Sequence, residues 1–109
     1  MAHFVDVAGL NEIPAGCGVV YKIADNHVAV FRIDDRLFAI DDRCIRCTAS
    51  LAAGELTGTT LSCRCGWRYD LNTGCLNAIP GLYTDTFEVD VSDSRVRVAS
   101  ACKPQARVR

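Results

Sequence analysis

Four of the chain's seven cysteines stand in two short pairs, a spacing that is typical of sites for soft metals. Cys44 and Cys47 form a C-x2-C pair, and Cys63 and Cys65 form a C-x-C pair further along the chain. Each pair can occupy neighbouring positions around a metal, and folding can bring the two pairs together. Cysteine thiolates favour zinc, iron and iron–sulfur clusters. These four residues are therefore the candidate metal ligands.

Two other interpretations of these pairs are open. The thiols can be buried or disulfide-linked in a domain that binds nothing, or the C-x2-C pair can serve dithiol redox catalysis. Redox catalysis is the weaker of the two, because no helix follows the pair to lower a thiol pKa. Cys17, Cys75 and Cys102 lie outside the pairs. We expect them to be bystanders, with Cys75 partly buried.

Composition places the chain among globular proteins and argues against two classes of partner. The 109 residues are 50% hydrophobic and 23% charged, with a net charge of -1. Without a basic field, attraction to nucleic acid or to anionic membranes is not expected. No apolar run approaches the roughly 18 to 20 residues of a membrane span, and the first residues do not resemble a targeting segment. We expect a cytoplasmic protein, where clustered cysteines more often bind metals or act in redox chemistry than form disulfides.

The elements that must position the cysteines are short apolar runs separated by glycine and proline, and they predict an all-β fold. Strands are expected at residues 18–24, 27–33, 37–41, 86–91 and 95–98. The second of these strands is apolar on both faces, so it should be buried on both sides. Alternation in the last two predicts five inward-facing side chains, which are Phe87, Val89, Val91, Val96 and Val98.

The segment at about residues 43–80 is where we expect the chemistry. It contains five of the seven cysteines and the only tryptophan, and functional loops commonly sit on rigid scaffolds. Within it, residues 51–56 predict one short helical turn. Trp67 and Tyr69 are expected to pack beneath a cysteine loop. The basic residues 103–109 are expected to fray, and we assign them no function.

Several stretches of the chain resemble the Rieske-type ferredoxins, small electron carriers that supply ring-hydroxylating oxygenases. They are EIPAG at 12–16, LFAIDDRC at 37–44, Leu51 with GEL at 54–56, GWRYDL at 66–71, Thr73 with Gly74, and Pro80. The resemblance covers about residues 4–98. It implies an antiparallel β-sandwich or barrel of about three sheets. We expect a single domain over residues 1–102, in which about residues 43–80 form a metal-loop subdomain. Pro80 resembles the family's proline-containing third loop, and a plain turn is the alternative.

The metal ligands of that family do not match this chain. The family holds its 2Fe-2S cluster with C-x-H in one loop and C-x2-H in the other, so one iron has two thiolates and the other has two imidazoles. Cys44 matches the first thiolate, but Arg46 stands at the histidine position and cannot ligate while protonated. The second loop offers Cys63 or Cys65, depending on the alignment. Neither of the chain's two histidines lies in either loop, so a site of two cysteines and two histidines is excluded.

We expect instead a four-cysteine site made of Cys44, Cys47, Cys63 and Cys65. Its cofactor is an all-thiolate 2Fe-2S cluster, or alternatively one iron or one zinc. Loss of the imidazoles should lower the reduction potential and abolish histidine-linked pH dependence. The loops also contain Arg43, Arg46, Arg64 and Arg68, which either offset the thiolate charge or are solvated at the surface. Arg46 is the candidate for offsetting it.

The resemblance implies a one-electron carrier without a catalytic site of its own, which would exchange electrons with a reductase and an oxygenase-type acceptor. The alternative is a Rieske-fold structural or interaction module, or a subunit of a larger oxidoreductase, that holds zinc, a disulfide or no metal. Membrane-bound Rieske proteins carry an extra disulfide in these loops. On that alignment, Cys47 would pair with Cys65.

Overall fold

The computed structural model describes residues 3–77, 79 and 81–103, in which strands are joined by loops and short 3₁₀ helices. The strands, in chain order, are β1 (Phe4–Gly9), β2 (Gly18–Ile23), β3 (Asn26–Ile33), β4 (Arg36–Asp41), β5 (Glu55–Thr57), β6 (Thr60–Ser62), β7 (Arg68–Asp70), β8 (Thr86–Phe87), β9 (Val89–Ser92) and β10 (Arg95–Ala99). The 3₁₀ helices are Leu10–Glu12 and Leu51–Ala53. The predictions for Pro80 and for most of the basic tail fall outside the described residues.

The strands form three antiparallel sheets. Their strand orders are β1-β10-β9, β2-β3-β4-β8 and β5-β6-β7. The predicted all-β, antiparallel architecture is therefore confirmed. Along the part of the chain that is described, no helix is long and apolar enough to cross a membrane.

The central strand β3 is buried on both faces, as its apolar sequence predicted. Val28 and Val30 pack into a core that also contains side chains of β1 and β10. Ala29 and Phe31 face the opposite side, where the core includes Tyr69 and lies beneath the cysteine loops. Because neighbouring side chains of a strand point to opposite faces, β3 packs against both cores at once, the one that contains β1 and β10 and the one beneath the cysteine loops. This gives the loops a rigid platform.

The prediction for the strand at 86–91 is wrong in one respect. The run divides at Glu88, so that β8 pairs with β4 while β9 pairs with β10. Three of the five side chains expected to face inward are buried, and they are Phe87, Val96 and Val98. Val89 packs at the margin of the core, but Val91 is 44% exposed. The reason is that β9 is the edge strand of its sheet and leaves the core after Val89.

Two groups of strands were not predicted. β1 pairs with β10, and β5, β6 and β7 form the small sheet that carries the second cysteine pair. The strands of the small sheet have three residues each, which is too short to display a hydrophobic period. The expected helical turn is shortened to Leu51–Ala53, because Glu55 already begins β5.

Candidate metal centre

The first cysteine loop follows β4 and is closed by its own backbone. The Cys44 N–H donates to the Ala49 carbonyl at 2.9 Å, and the Thr48 N–H donates back to the Cys44 carbonyl at 3.0 Å. Thr48 adopts a positive φ of 62°, which turns the chain sharply after Cys47. The tight turn fixes where the two cysteine side chains of this loop can point.

Asp42 anchors the segment that leaves this loop, a role that the sequence did not indicate. Its carboxylate accepts hydrogen bonds from the Ser50 hydroxyl at 2.8 Å and from the Ala52 N–H at 2.9 Å. Its backbone carbonyl accepts from the Leu51 N–H. Asp42 therefore holds the start of the second 3₁₀ helix against the end of β4, and the loop is clamped at both ends.

The second cysteine loop joins β6 to β7 and is closed in a similar way. The Cys63 N–H donates to the Trp67 carbonyl at 2.8 Å, and the Gly66 N–H donates to the Cys63 carbonyl at 2.8 Å. Gly66 has a φ of +95°, a conformation that residues with a side chain rarely adopt. The C-x-C spacing is thus accommodated by a tight hairpin connection that depends on this glycine.

The two loops bring the four predicted sulfurs together. The Sγ atoms of Cys44, Cys47, Cys63 and Cys65 all lie within 4.8 Å of one another. Cys44 and Cys65 are 3.9 Å apart, and Cys47 and Cys63 are 3.4 Å apart, so both short contacts cross between the loops. Within the described residues, this group contains no histidine. Such an arrangement can hold a metal by thiolates alone.

The group of sulfurs has a buried side and a side close to the surface. Cys44 is fully buried and Cys63 is 5% exposed, whereas Cys47 and Cys65 are half-buried. Each loop therefore contributes one sulfur to each side. A metal in this position would have its closest approach to solvent past Cys47 and Cys65.

The other cysteines do not join the group, in agreement with prediction. Cys17 and Cys102 are exposed and free, and Cys75 is half-buried with its thiol donating to the Leu76 carbonyl at 3.4 Å. Cys47 and Cys65 are also free, so the alternative disulfide between them is not formed.

Tyr69 packs beneath the first loop, as predicted, and also makes a polar contact that was not predicted. Its side chain is fully buried, and its hydroxyl accepts a hydrogen bond from the Ile45 N–H at 3.2 Å. The same hydroxyl lies 3.1 Å from the Cys44 sulfur. Burial raises the pKa of Tyr69, and the neighbouring Cys44 raises it further. The hydroxyl therefore keeps its proton and can donate it to the sulfur.

The thiols of this group have different acidities in the metal-free chain. Burial raises the pKa of Cys44, but the N–H groups of Cys47 and Arg46 and the Tyr69 hydroxyl outweigh it and lower that pKa to about 6. Burial and the neighbouring side chains of Cys47, Cys44 and Cys65 raise the pKa of Cys63 to about 12, although the Cys65 N–H opposes the shift. At neutral pH the site thus combines a thiolate at Cys44 with a thiol at Cys63, and the Cys63 thiol would lose its proton to solvent when a metal binds.

The Arg46 side chain packs on an aromatic ring, and its offsetting of thiolate charge stays a prediction. Its guanidinium lies over the Trp67 ring, 5.3 Å from the ring centre, and in the described structure it donates no hydrogen bond to a sulfur. Arg46 acts on Cys44 through its backbone N–H. Trp67 is partly buried and packs against the core that contains Cys44 and Cys63.

Comparison with known proteins supports the resemblance to electron carriers. A profile of the Rieske [2Fe-2S] domain matches residues 3–97. The chain is 29% identical over 97 residues to the ferredoxin component of the naphthalene 1,2-dioxygenase/salicylate 5-hydroxylase systems of a Ralstonia species, covering 86% of this chain and 92% of that protein. It is 31% identical over 86 residues to ferredoxin CarAc of Metapseudomonas resinovorans, covering 77% of this chain and 80% of that protein.

The fold of this chain also agrees with that of a solved structure. The chain superimposes on a structure described as the complex of reduced oxygenase and oxidized ferredoxin in carbazole 1,9a-dioxygenase, with a TM-score of 0.84 and 27% identity. The superposition covers 94% of this chain and 97% of that chain. The loops that carry the four cysteines therefore belong to a fold that is used by ferredoxins.

Proposed function

Because this chain belongs to the Rieske [2Fe-2S] domain family, we propose that it is a ferredoxin-like carrier of single electrons that uses iron held by four cysteines. The ligands would be Cys44, Cys47, Cys63 and Cys65. The observation that carries the proposal is the convergence of their sulfurs within 4.8 Å on a fold shared with ferredoxins. Iron is preferred to zinc because only iron can change its redox state at such a site.

The residues of this chain do not fit the usual cluster of the family. That cluster needs two imidazoles on its second iron, and no histidine belongs to the described group of ligands. Arg46 stands at one histidine position, and its guanidinium contacts Trp67. The proposal therefore excludes the two-cysteine, two-histidine centre and relies on thiolates alone.

The surrounding residues suit such a site. Iron bound to four thiolates would supply a one-electron couple between its ferric and ferrous states. The Tyr69 hydroxyl can donate to the Cys44 sulfur, which favours the reduced state because that state carries more negative charge. Burial of Cys44 and Cys63 excludes water from the inner side of the site. Cys47 and Cys65 are closest to the surface, where electrons would be exchanged.

Partners are proposed from the relatives. Two of these are ferredoxins, one of them a component of dioxygenase systems, and the solved structure pairs a ferredoxin with its oxygenase. We expect this chain to receive electrons from a reductase and to deliver them to an oxygenase-type acceptor. Its seven free cysteines fit the reducing cytoplasm, where we place it.

The test is metal analysis of the purified full-length chain, combined with a redox titration. The proposal expects iron, a visible charge-transfer spectrum that bleaches on reduction, and a single reversible one-electron wave. Serine at any one of the four ligand positions should abolish iron binding. Cys17→Ser and Cys102→Ser, which change exposed cysteines outside the site, should retain it. Zinc, or no bound metal, in a chain produced with abundant iron would contradict the proposal.

A further inference from the structure

We propose that the four-cysteine site holds one metal ion and not a two-iron cluster, an inference that rests on the proposed function and specifies its centre. In a tetrahedral site with metal–sulfur bonds of ~2.3 Å, neighbouring sulfurs lie about 3.8 Å apart. The contacts of 3.9 Å for Cys44 with Cys65 and 3.4 Å for Cys47 with Cys63 are close to this edge length.

The distances between the two pairs argue more directly against a two-iron cluster. In such a cluster, two bridging sulfides separate the irons, and the two thiolates on each iron point away from the other iron. Thiolates on different irons must then lie much farther apart than thiolates on the same iron. Here every sulfur lies within 4.8 Å of every other, so the group cannot be divided into two separated pairs.

The surroundings leave no room for expansion on the inner side. Cys44 is fully buried, and the Tyr69 hydroxyl lies 3.1 Å from its sulfur. Cys63 is held by its backbone hydrogen bond to Trp67. Inserting two irons and two sulfides would require the loops to separate, which would break the contact between the Tyr69 hydroxyl and the Cys44 sulfur. One ion needs only the space at the centre of the four sulfurs.

Two measurements test the stoichiometry on the full-length chain. Iron and acid-labile sulfide are measured in protein produced with abundant iron, and the reduced metal-free chain is titrated with Co²⁺. The inference expects one iron per chain, no labile sulfide and the EPR signal of a high-spin ferric ion. It also expects the absorption of tetrahedral Co²⁺–thiolate to saturate at one equivalent, in wild-type protein and in the Cys75→Ser control.

The outcomes separate this inference from the proposed function. Two irons with two sulfides per chain would overturn the single-ion site while leaving the electron carrier intact. One zinc, with Co²⁺ saturating at one equivalent, would support the single-ion site and overturn the electron carrier. A chain that binds neither iron, zinc nor Co²⁺ would overturn both.

A second inference follows independently from the distribution of charge around the same loops. Residues 43–48 and 63–68 contain four arginines and none of the chain's thirteen acidic residues, although the net charge of the chain is -1. We name three of these arginines the arginine face, and they are Arg46, Arg64 and Arg68. Arg43 lines a cavity with Asp25, Asp41 and Asp42 and is not counted in this face. All four arginines are exposed, and in the described structure none of their side chains forms an ion pair. Ile45, which is 44% exposed, adds an apolar contact among them.

The geometry points to the arginine face as a docking surface for an acidic redox partner. It flanks Cys47 and Cys65, the sulfurs closest to solvent, so a partner bound here would approach the metal. Charged rims steer a partner of opposite charge and mainly set the association rate. The rest of the chain has a net negative charge, so an acidic partner would repel it and attract the arginine face.

The test compares two small redox probes, because the net charge and the local charge make opposite predictions. Reduced protein is oxidised with ferricyanide, an anion, and with tris(phenanthroline)cobalt(III), a cation, at increasing ionic strength. If the arginine face governs the encounter, the ferricyanide rate falls with added salt. The negative net charge, to which four thiolates around ferrous iron would add about -2, predicts a rise instead. The cobalt rate should change in the opposite direction.

Variants show whether the arginines are responsible. The double variant Arg46→Gln/Arg64→Gln should lower the ferricyanide rate at low salt several-fold and reverse its salt dependence. Arg97→Gln, which removes an exposed charge from β10 outside the arginine face, should leave that salt dependence as in wild type. A ferricyanide rate that rises with salt in the wild type would overturn the docking surface alone. A chain that transfers no electrons to either probe would overturn it together with the proposed function.

Discussion

The hydroxyl oxygen of Tyr69 lies 3.1 Å from the sulfur of Cys44 while accepting a hydrogen bond from the Ile45 N–H. Because the Ile45 N–H occupies one lone pair, the hydroxyl proton remains free to point at the sulfur. Tyr69 is fully buried, so water cannot replace this hydrogen bond. The contact links the core of the fold directly to a proposed metal ligand.

Removing this hydroxyl should lower the reduction potential of the iron site. In Tyr69→Phe the ring still fills the core, but the sulfur loses a donor that stabilises the more negative, reduced state. A hydrogen bond of ~1 kcal/mol corresponds to a decrease of roughly 20 to 60 mV. Tyr21→Phe, at a half-buried tyrosine packed against the other core, is the matched control. A potential unchanged in Tyr69→Phe, as measured by redox titration, would show that the hydroxyl does not act on the sulfur.

The same hydrogen bond should be visible in the acidity of the metal-free protein. Although burial opposes ionisation, nearby N–H groups and the Tyr69 hydroxyl lower the pKa of Cys44 to about 6. The ultraviolet absorbance of thiolate should therefore show a titration near this pH, which Cys44→Ser removes. Tyr69→Phe should move the titration to higher pH. A first thiolate appearing only in the ordinary range of free cysteine would contradict the expectation.

The stability of the metal-free protein should follow this ionisation. Because folding lowers the pKa of Cys44, its contribution is fully present above the ordinary thiol pKa and is lost as pH falls through about 6. The free energy of unfolding of metal-free wild type should thus rise with pH between these limits, relative to Cys44→Ser. Burial raises the pKa of Cys63 to about 12, so its opposite effect begins only above the ordinary thiol pKa. Urea unfolding across the pH range measures both slopes.

The spacing of the cysteines indicated which sulfurs would meet, but not what surrounds them. C-x2-C and C-x-C are local patterns, and any fold that joins the two loops brings Cys44 and Cys63 together. The Tyr69 hydroxyl contact instead joins residues 25 positions apart, and it depends on how β7 packs beneath the first loop. The sequence showed Tyr69 as a candidate core residue, but no local pattern distinguishes a tyrosine whose hydroxyl has a partner.

The same limit applies to the fold. Strand β3 could be predicted as buried on both faces because four successive residues, Val28, Ala29, Val30 and Phe31, are apolar. The three strands of the small sheet could not, since three residues do not establish a period. Val91 was assigned to the core because its alternation continues that of Val89. Whether another sheet covers the end of an edge strand depends on tertiary packing, which the alternation of residues within that strand does not show.

Asp42 should be required for the stability of the first cysteine loop. Its Oδ1 atom accepts hydrogen bonds from the Ser50 hydroxyl and from the Ala52 N–H, and Asp42→Ala removes both bonds at once. We expect a loss of about 1 to 3 kcal/mol in the free energy of unfolding. Weaker Co²⁺ binding should accompany it, because the loop is less well ordered. Asp35→Ala, in the exposed turn between β3 and β4, should change neither quantity appreciably. Equal effects of the two variants would contradict the role of Asp42.

Gly18 should be essential for the packing of β2 against the core beneath the cysteine loops. A Cβ at this position would lie 2.5 Å from Cε2 of Phe31 and 3.0 Å from the Cα of Ala52, so one of them must move. Phe31 is fully buried and Ala52 contributes backbone, which leaves little freedom to adjust. We expect Gly18→Ala to lose about 1 to 3 kcal/mol in urea unfolding. Gly9→Ala, where the nearest atom would be the end of the Arg95 side chain at 3.5 Å, is the matched control.

A double variant tests whether Phe31 is the cause of the Gly18→Ala effect. Phe31→Leu alone should destabilise the protein by removing buried ring atoms. Combined with Gly18→Ala, it also removes the ring that the new methyl group would strike. The loss in the double variant should therefore be smaller than the sum of the two single losses, by a coupling energy of roughly 0.5 kcal/mol or more. Strictly additive losses would mean that the strain falls on Ala52, and then Gly18→Ala should also weaken Co²⁺ binding through the segment that Asp42 anchors.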